Sequence, residues 1–157
     1  MSSGNQIAAW AAKHNVQGFL GVFASDELPE SVPSKPWSLV CNYQNHEEPG
    51  DHWCAAFGAG GRSYWFSSFG LPPDGADLIL GDKTRFRGWL KSVSPKGWQH
   101  NTVPLQSLTG DTCGNWSVYA CKVRGGPRQR PKEYGFVGSN KKKNDRAIRK
   151  LVRFDPQ

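Results

Sequence analysis

Eighteen glycines and eleven prolines, scattered through 157 residues, interrupt the chain too often for long regular elements. Glycine weakens helix interiors and proline breaks them. The chain is therefore predicted to fold from short helices and strands joined by many turns, not as a helical bundle. Its length suits one well-packed domain and is short for two, so residues 1–157 are read as a single domain. Seven Trp and eight Phe predict a core built around aromatic side chains.

The local patterns give an α+β order. Ile7, Trp10, Ala11 and His14 fall at helical spacing and predict a helix over residues 5–14. Phe19–Phe23 is a short apolar run, closed by the turn-like Ala24–Pro29. Trp37–Tyr43, His52–Phe57 and Ser63–Phe66 read as strands, with a turn at Glu48–Asp51 and a glycine-rich hairpin connection at Gly58–Arg62. Phe86, Trp89 and Leu90 predict a weak helix over 83–91, and Trp98–Gln106 reads as an edge strand that tolerates Pro104. Trp116, Ala120 and Val123 predict a helix starting at or just before Cys113. Residues 124–140 read as loop, and a last helix carries Ile148, Leu151 and Val152, with Asn144 or Asp145 as its cap. The sum is a small α+β domain around a central, mostly antiparallel sheet packed by helices.

No apolar run approaches the ~20 residues of a membrane span, and Met1–Asn5 lacks the features of a secretory signal. A reducing, intracellular setting without membrane association is expected. Cys41, Cys54, Cys113 and Cys121 show neither disulfide-framework density nor CxxC spacing, so no metal is expected. Charge is uneven. Twelve Lys/Arg and only three acids lie beyond Cys121, a balance of +9, whereas the first 121 residues balance at −2. The segment 122–153 thus favours a polyanion, nucleic acid first, over a merely solvated tail. Arg128, Arg130 and Lys132, with the run Lys141, Lys142 and Lys143, are the candidate contacts.

Sulfur is a nucleophile only as thiolate, and a helix N-terminus or a nearby imidazole lowers its pKa. Cys113, opening a helix and followed by the side-chain-free Gly114, meets the first condition and leaves room for a substrate carbonyl. His52, at a strand start, can supply the second. Gln106, seven residues before the thiol, can donate an amide proton to an oxyanion. His14, His46 and His100 have no partner motif and read as surface or packing residues. Cys54 alternates to the side of His52 and reads as packing; Cys41 and Cys121 read as core. Trp53 reads as a wall of the site or as sheet core.

Gly50-Asp51-His52-Trp53, Tyr64-Trp65-Phe66-Ser67-Ser68-Phe69-Gly70 and Gln106 through Cys113-Gly114 together resemble the adenovirus protease (adenain) family. Phe19–Phe23 with Asp26–Pro29, and Asn144-Asp145, also resemble segments of its short viral members. Related ubiquitin-like-protein proteases share the logic. The resemblance implies a papain-like or adenain-like cysteine protease fold, with Cys113 as nucleophile at a helix N-terminus, His52 as base and Gln106 beside the oxyanion. It further implies a viral endopeptidase that cuts capsid or core precursors after small residues such as Gly. Such an enzyme would act as a monomer in the virion and infected-cell interior, with DNA or a short viral peptide as activating cofactor. Where the family carries an acid to orient the base, this chain has Ser67, which brings no charge. Asp51, the neighbour of His52, points to the opposite face of a strand. Two further readings follow: a catalytically weakened homologue that binds nucleic acid or builds the virion, and a deconjugase of ubiquitin-like modifiers.

Overall fold

The computed structural model describes residues 2–43, 52–75 and 86–157. The expected turn at Glu48–Asp51, together with His46, Asp51 and the 83–85 start of the weak helix, lies outside these residues. Helix α1 spans Gly4–Lys13 and starts on a reciprocal cap: Ser3 Oγ accepts the Gln6 N–H, and Gln6 Oε1 accepts the Ser3 N–H. Two otherwise orphaned donors are satisfied this way. Ile7, Trp10 and Ala11 form its buried face, and His14 stacks on Trp10 with ring centroids 4.1 Å apart.

Strands β1 (Phe19–Phe23), β2 (Trp37–Asn42), β3 (Trp53–Ala59), β4 (Arg62–Phe66) and β5 (Trp98–His100) form one sheet in sequential order. Its centre, β2-β3-β4, is antiparallel; β1 and β5 each join an edge in parallel. The β3–β4 hairpin closes through Gly60 and Gly61, at φ 58° and 83°, a conformation that favours glycine at both central positions.

Side-chain alternation along the strands builds two cores. Val40, Trp53, Ala55, Phe57, Tyr64 and Phe66 face α1 and the helices α3 (Cys113–Val123) and α4 (Lys141–Leu151). Trp37, Leu39, Cys41, Cys54, Ala56 and Trp65 face α2 (Phe86–Val93), whose Phe86 and Leu90 complete that layer. Helix α3 is enclosed: every residue from Cys113 to Cys121 is buried. It ends at Arg124, which has left-handed backbone (φ 59°) and sends its guanidinium to Trp37 O at 3.1 Å and Gly58 O at 3.0 Å.

Two expectations are corrected. The strand predicted over Trp98–Gln106 ends at His100. Asn101 turns inward instead, its Oδ1 accepting the Ser67 N–H at 2.9 Å and its Nδ2 donating to Ser67 O at 2.7 Å. That side chain replaces the ladder beyond β4, and Pro104 has no N–H with which to extend it. The last helix is capped not by Asn144 or Asp145 but by Asn140, whose Oδ1 accepts the Lys143 N–H at 3.1 Å. Asn144 and Asp145 lie inside the helix, facing inward and buried.

Candidate active site

Cys113 is the first residue of α3, and the helix start lands against the beginning of β3. The Trp53 N–H points at Cys113 Sγ over 3.4 Å, which sets the sulfur against the backbone of the residue that follows His52. Trp53 serves both expected roles: its ring belongs to the core, and its Nε1 donates to Ser2 O at 3.0 Å beside the helix start. Burial pushes the Cys113 thiol up, and the N–H groups of Trp53, Gly114 and Cys113 itself partly offset this. Cys113 is only 2% exposed.

The His52 ring is sandwiched between Tyr43 and Phe69, with centroids 5.3 and 4.7 Å away and the planes nearly parallel. Among the described residues its Nε2 makes no hydrogen bond, and burial lowers its pKa to about 4. Burial thus shifts the thiol and the imidazole each toward its neutral form.

Gln106 is fixed from both sides. Its Oε1 accepts the Ser68 hydroxyl at 2.5 Å, and its Nε2 donates to Gly110 O at 2.9 Å. Ser68 O also takes the N–H groups of Leu105 and Gln106. One Nε2 proton is thereby committed within the Gln106–Cys113 loop, and a primary amide has a second.

Ser67 is buried in the turn after β4, but no hydrogen bond joins it to His52 in this arrangement. Its hydroxyl accepts the Phe69 N–H at 3.3 Å and steadies Cys54. The space over Gly114 is also not open to a substrate carbonyl as expected. A side chain there would meet Ser2 Oγ at 3.0 Å, Ile7 Cδ1 at 3.1 Å and Trp53 Cδ1 at 3.2 Å. Gly114 is small because α1 docks on it. Cys54 faces the α2 core, on the other side of the sheet from Cys113.

The chain segments beside the helix start hold one another. Gln6 Nε2 donates to Asp155 O at 2.9 Å, and Gln157 bonds the Ser3 hydroxyl. An open depression of about 410 Å³ lies alongside, lined by Ser2, Asp111, Asn115, Arg149 and Arg153 among others.

Gly70 tests how tightly the turn after β4 is built. It has φ +70°, and an added Cβ would lie 2.8 Å from both Pro104 N and Thr102 O. Gly60 shares the positive φ, at +58°, but nothing lies within 4 Å. Gly60→Ala is expected to cost about 1 kcal/mol, and Gly70→Ala about 3 kcal/mol because backbone must also move. Urea unfolding of the two variants checks this; equal costs would show that the 102–104 segment yields freely.

Among the described residues, five strands and four helices, with a cysteine opening the enclosed central helix, make a mixed α+β fold around a mostly antiparallel sheet. Neither the protein-family models nor the curated proteins give a match. Among solved structures, the chain is similar to AvrA delL154 with IP6 and CoA, at 14% identity and a TM-score of 0.50, over 92% of this chain and 53% of that one. It thus spans about half of that chain's length, and at this identity the likeness bears on the fold alone. Among the described residues no helix is long and apolar enough to cross a membrane.

The basic residues singled out in the sequence lie on one stretch of surface chain. Arg128, Arg130 and Lys132 are exposed on the turns after α3, and Lys142 and Lys143 are exposed in the first turn of α4, with Lys141 half-buried. What sequence reading missed is the inward face of α4, where Asn144 and Asp145 reach the loop before Cys113. The only signal was two polar residues at positions in register with Ile148 and Val152.

Proposed function

We propose that this chain is a cysteine endopeptidase of the adenovirus-protease type that cuts viral capsid or core precursor proteins. One observation carries the reading: Cys113 opens the enclosed helix with its sulfur 3.4 Å from the amide that follows His52. The sulfur would give its proton to His52 and form a bond to the scissile carbonyl carbon. The Gln106 amide and the Cys113 N–H would then hold the resulting oxyanion. Collapse breaks the C–N bond, the leaving amine takes the proton from His52, and water, deprotonated by His52, releases the acid and regenerates the thiol. The buried sulfur makes this a latent site, one that substrate or an activator must open.

The experiment is covalent capture. A peptide with a thiol-directed electrophile after glycine should label Cys113 in preference to Cys41, Cys54 and Cys121. Labelling no faster than of a free thiol would reject the reading. The deconjugase reading is favoured instead if only a probe built on a folded ubiquitin-like modifier ending in Gly-Gly labels the site. Capture of acyl groups from acyl-CoA, with no peptide cleaved, would point to acyl transfer; the AvrA structure contains CoA.

The expected partner is nucleic acid, as a virion component and activator, with a short viral peptide as a second candidate activator. Three lysines occupy the first turn of α4 with no acid there, against the positive end of the helix dipole. An anion docked at that end would relieve the repulsion. DNA binding should weaken steeply with salt, log K falling by about 0.9 per neutralised phosphate. Charge reversal at Arg128, Arg130, Lys132 and Lys141–Lys143 should flatten that slope. DNA binding with no peptidase activity would select the weakened-homologue reading, which the absence of a Ser67–His52 bond favours.

A further inference from the structure

The loop from Gln106 to Cys113 carries the donor at one end and the nucleophile at the other, and a single buried carboxylate grips both halves. Asp145 Oδ2 accepts the Ser107 hydroxyl at 2.7 Å and lies 3.4 Å from the Ser107 N–H. Its Oδ1 accepts the Thr112 hydroxyl at 2.8 Å, at the residue just before Cys113. Between these anchors, the Gly110 N–H donates to Ser107 O at 3.0 Å, and Gly110 O receives the Gln106 side-chain amide. A Cβ on Gly110 would lie 2.6 Å from Asp145 Oδ2, so only glycine lets the turn close against the carboxylate. Asn144 adds a second clamp, donating to Leu105 O at 3.0 Å and to Gly138 O at 2.9 Å. Asp145 is 4% exposed. A carboxylate so placed, inside a helix and turned away from water, is costly unless its bonds are all made, and here they are made to this loop.

We propose that Asp145 is a positioning residue for the oxyanion donor: it fixes the Ser107–Thr112 turn, whose Gly110 carbonyl aims the Gln106 amide. This rests on the cysteine-peptidase reading and adds to it a residue 32 positions beyond the nucleophile, on a helix that contributes nothing else to the chemistry. Gln106 acts on the substrate, and Asp145 acts through Gln106.

A double-mutant cycle tests it, using a fluorogenic peptide amide with glycine before the scissile bond. Asp145→Ala and Gln106→Ala should each lower kcat by about 10²-fold, the cost of losing one oxyanion donor, with KM little changed. The double variant should fall little below the worse single one, because the two act as a unit. Asp145→Asn, which keeps one acceptor oxygen, should recover most of the loss. Multiplicative effects in the double variant, or an unchanged kcat in folded Asp145→Ala, would overturn the proposal. Should Asp145→Ala not fold, Ser107→Ala carries the same cycle. If the wild-type chain cleaves no peptide, the peptidase reading falls while the positioning claim is still decided. In that case the Gln106 side-chain amide resonances should shift in Asp145→Ala, or in Ser107→Ala, while the amides of α1 stay put, and unmoved Gln106 signals overturn it.

Discussion

Cys113→Ala is expected to reduce peptide turnover by on the order of 10⁴-fold or more, the scale on which hydrolases lose rate when their nucleophile is removed. The fold should survive. The sulfur is small and accepts the Trp53 N–H, so alanine leaves that buried donor unpaired at a cost of about 1–2 kcal/mol. Cys113→Ser keeps an acceptor there and should be closer to wild type in stability while remaining nearly as inactive, because a serine hydroxyl is a far weaker nucleophile than a thiolate. Steady-state rates with thermal melts of the same samples check both halves. Turnover that persists in Cys113→Ala would move the chemistry elsewhere, whereas absent turnover in the wild type would favour a binding role for the scaffold.

Acidification should destabilise the protein by about 3 kcal/mol through His52 alone. The folded state holds this imidazole at about 4 against an ordinary 6.5, because burial between Tyr43 and Phe69 disfavours its charged form. Between those two values the unfolded chain binds the extra proton, so stability rises with pH across this window. The penalty is absent above pH 6.5, grows as pH falls, and is complete near pH 4. Urea midpoints at pH 7 and pH 4.5 should therefore differ, and His52→Gln, which cannot charge, should remove most of that difference. A wild-type profile no steeper than that of His52→Gln would mean that the ring is hydrated, or that it has an acceptor partner in solution. The same shift bears on catalysis. A base held near 4 is weak at neutral pH, so the proposed mechanism requires exposure of His52 to water or an acceptor for its Nε2.

Much of the fold was legible because the strands are short apolar, aromatic-rich runs closed by turns. Trp53, Ala55 and Phe57 on one face and Cys54 and Ala56 on the other need only a period of two. The helix at Cys113 was readable from Trp116 and Ala120, although its burial on all sides blurs any amphipathic stripe. The readings that failed turn on single polar side chains. Asn101 ends β5 early by bonding the backbone of Ser67, and Asn140 rather than Asn144 caps α4. Asparagines near helix and strand ends compete for such bonds, and spacing does not say which wins. Gln106, His52 and Cys113 were marked by their motifs, but the surroundings of thiol and imidazole were not. Whether imidazole and thiol are charged depends on Tyr43, Phe69 and the packing of α1, side chains brought together only by tertiary structure. Asp145 was marked by its motif and as a possible cap, but its partners Ser107 and Thr112 lie more than 30 residues upstream and were not legible.

Ser2 rests against Gly114 in the helix that begins at Cys113, and Asp155 and Gln157 are bonded to Gln6 and Ser3 in turn. Whatever displaces residues 2–3 or 155–157 therefore acts on the doorstep of the sulfur. The two segments are not interchangeable here, and a change in either can prop that doorway open or wedge it shut.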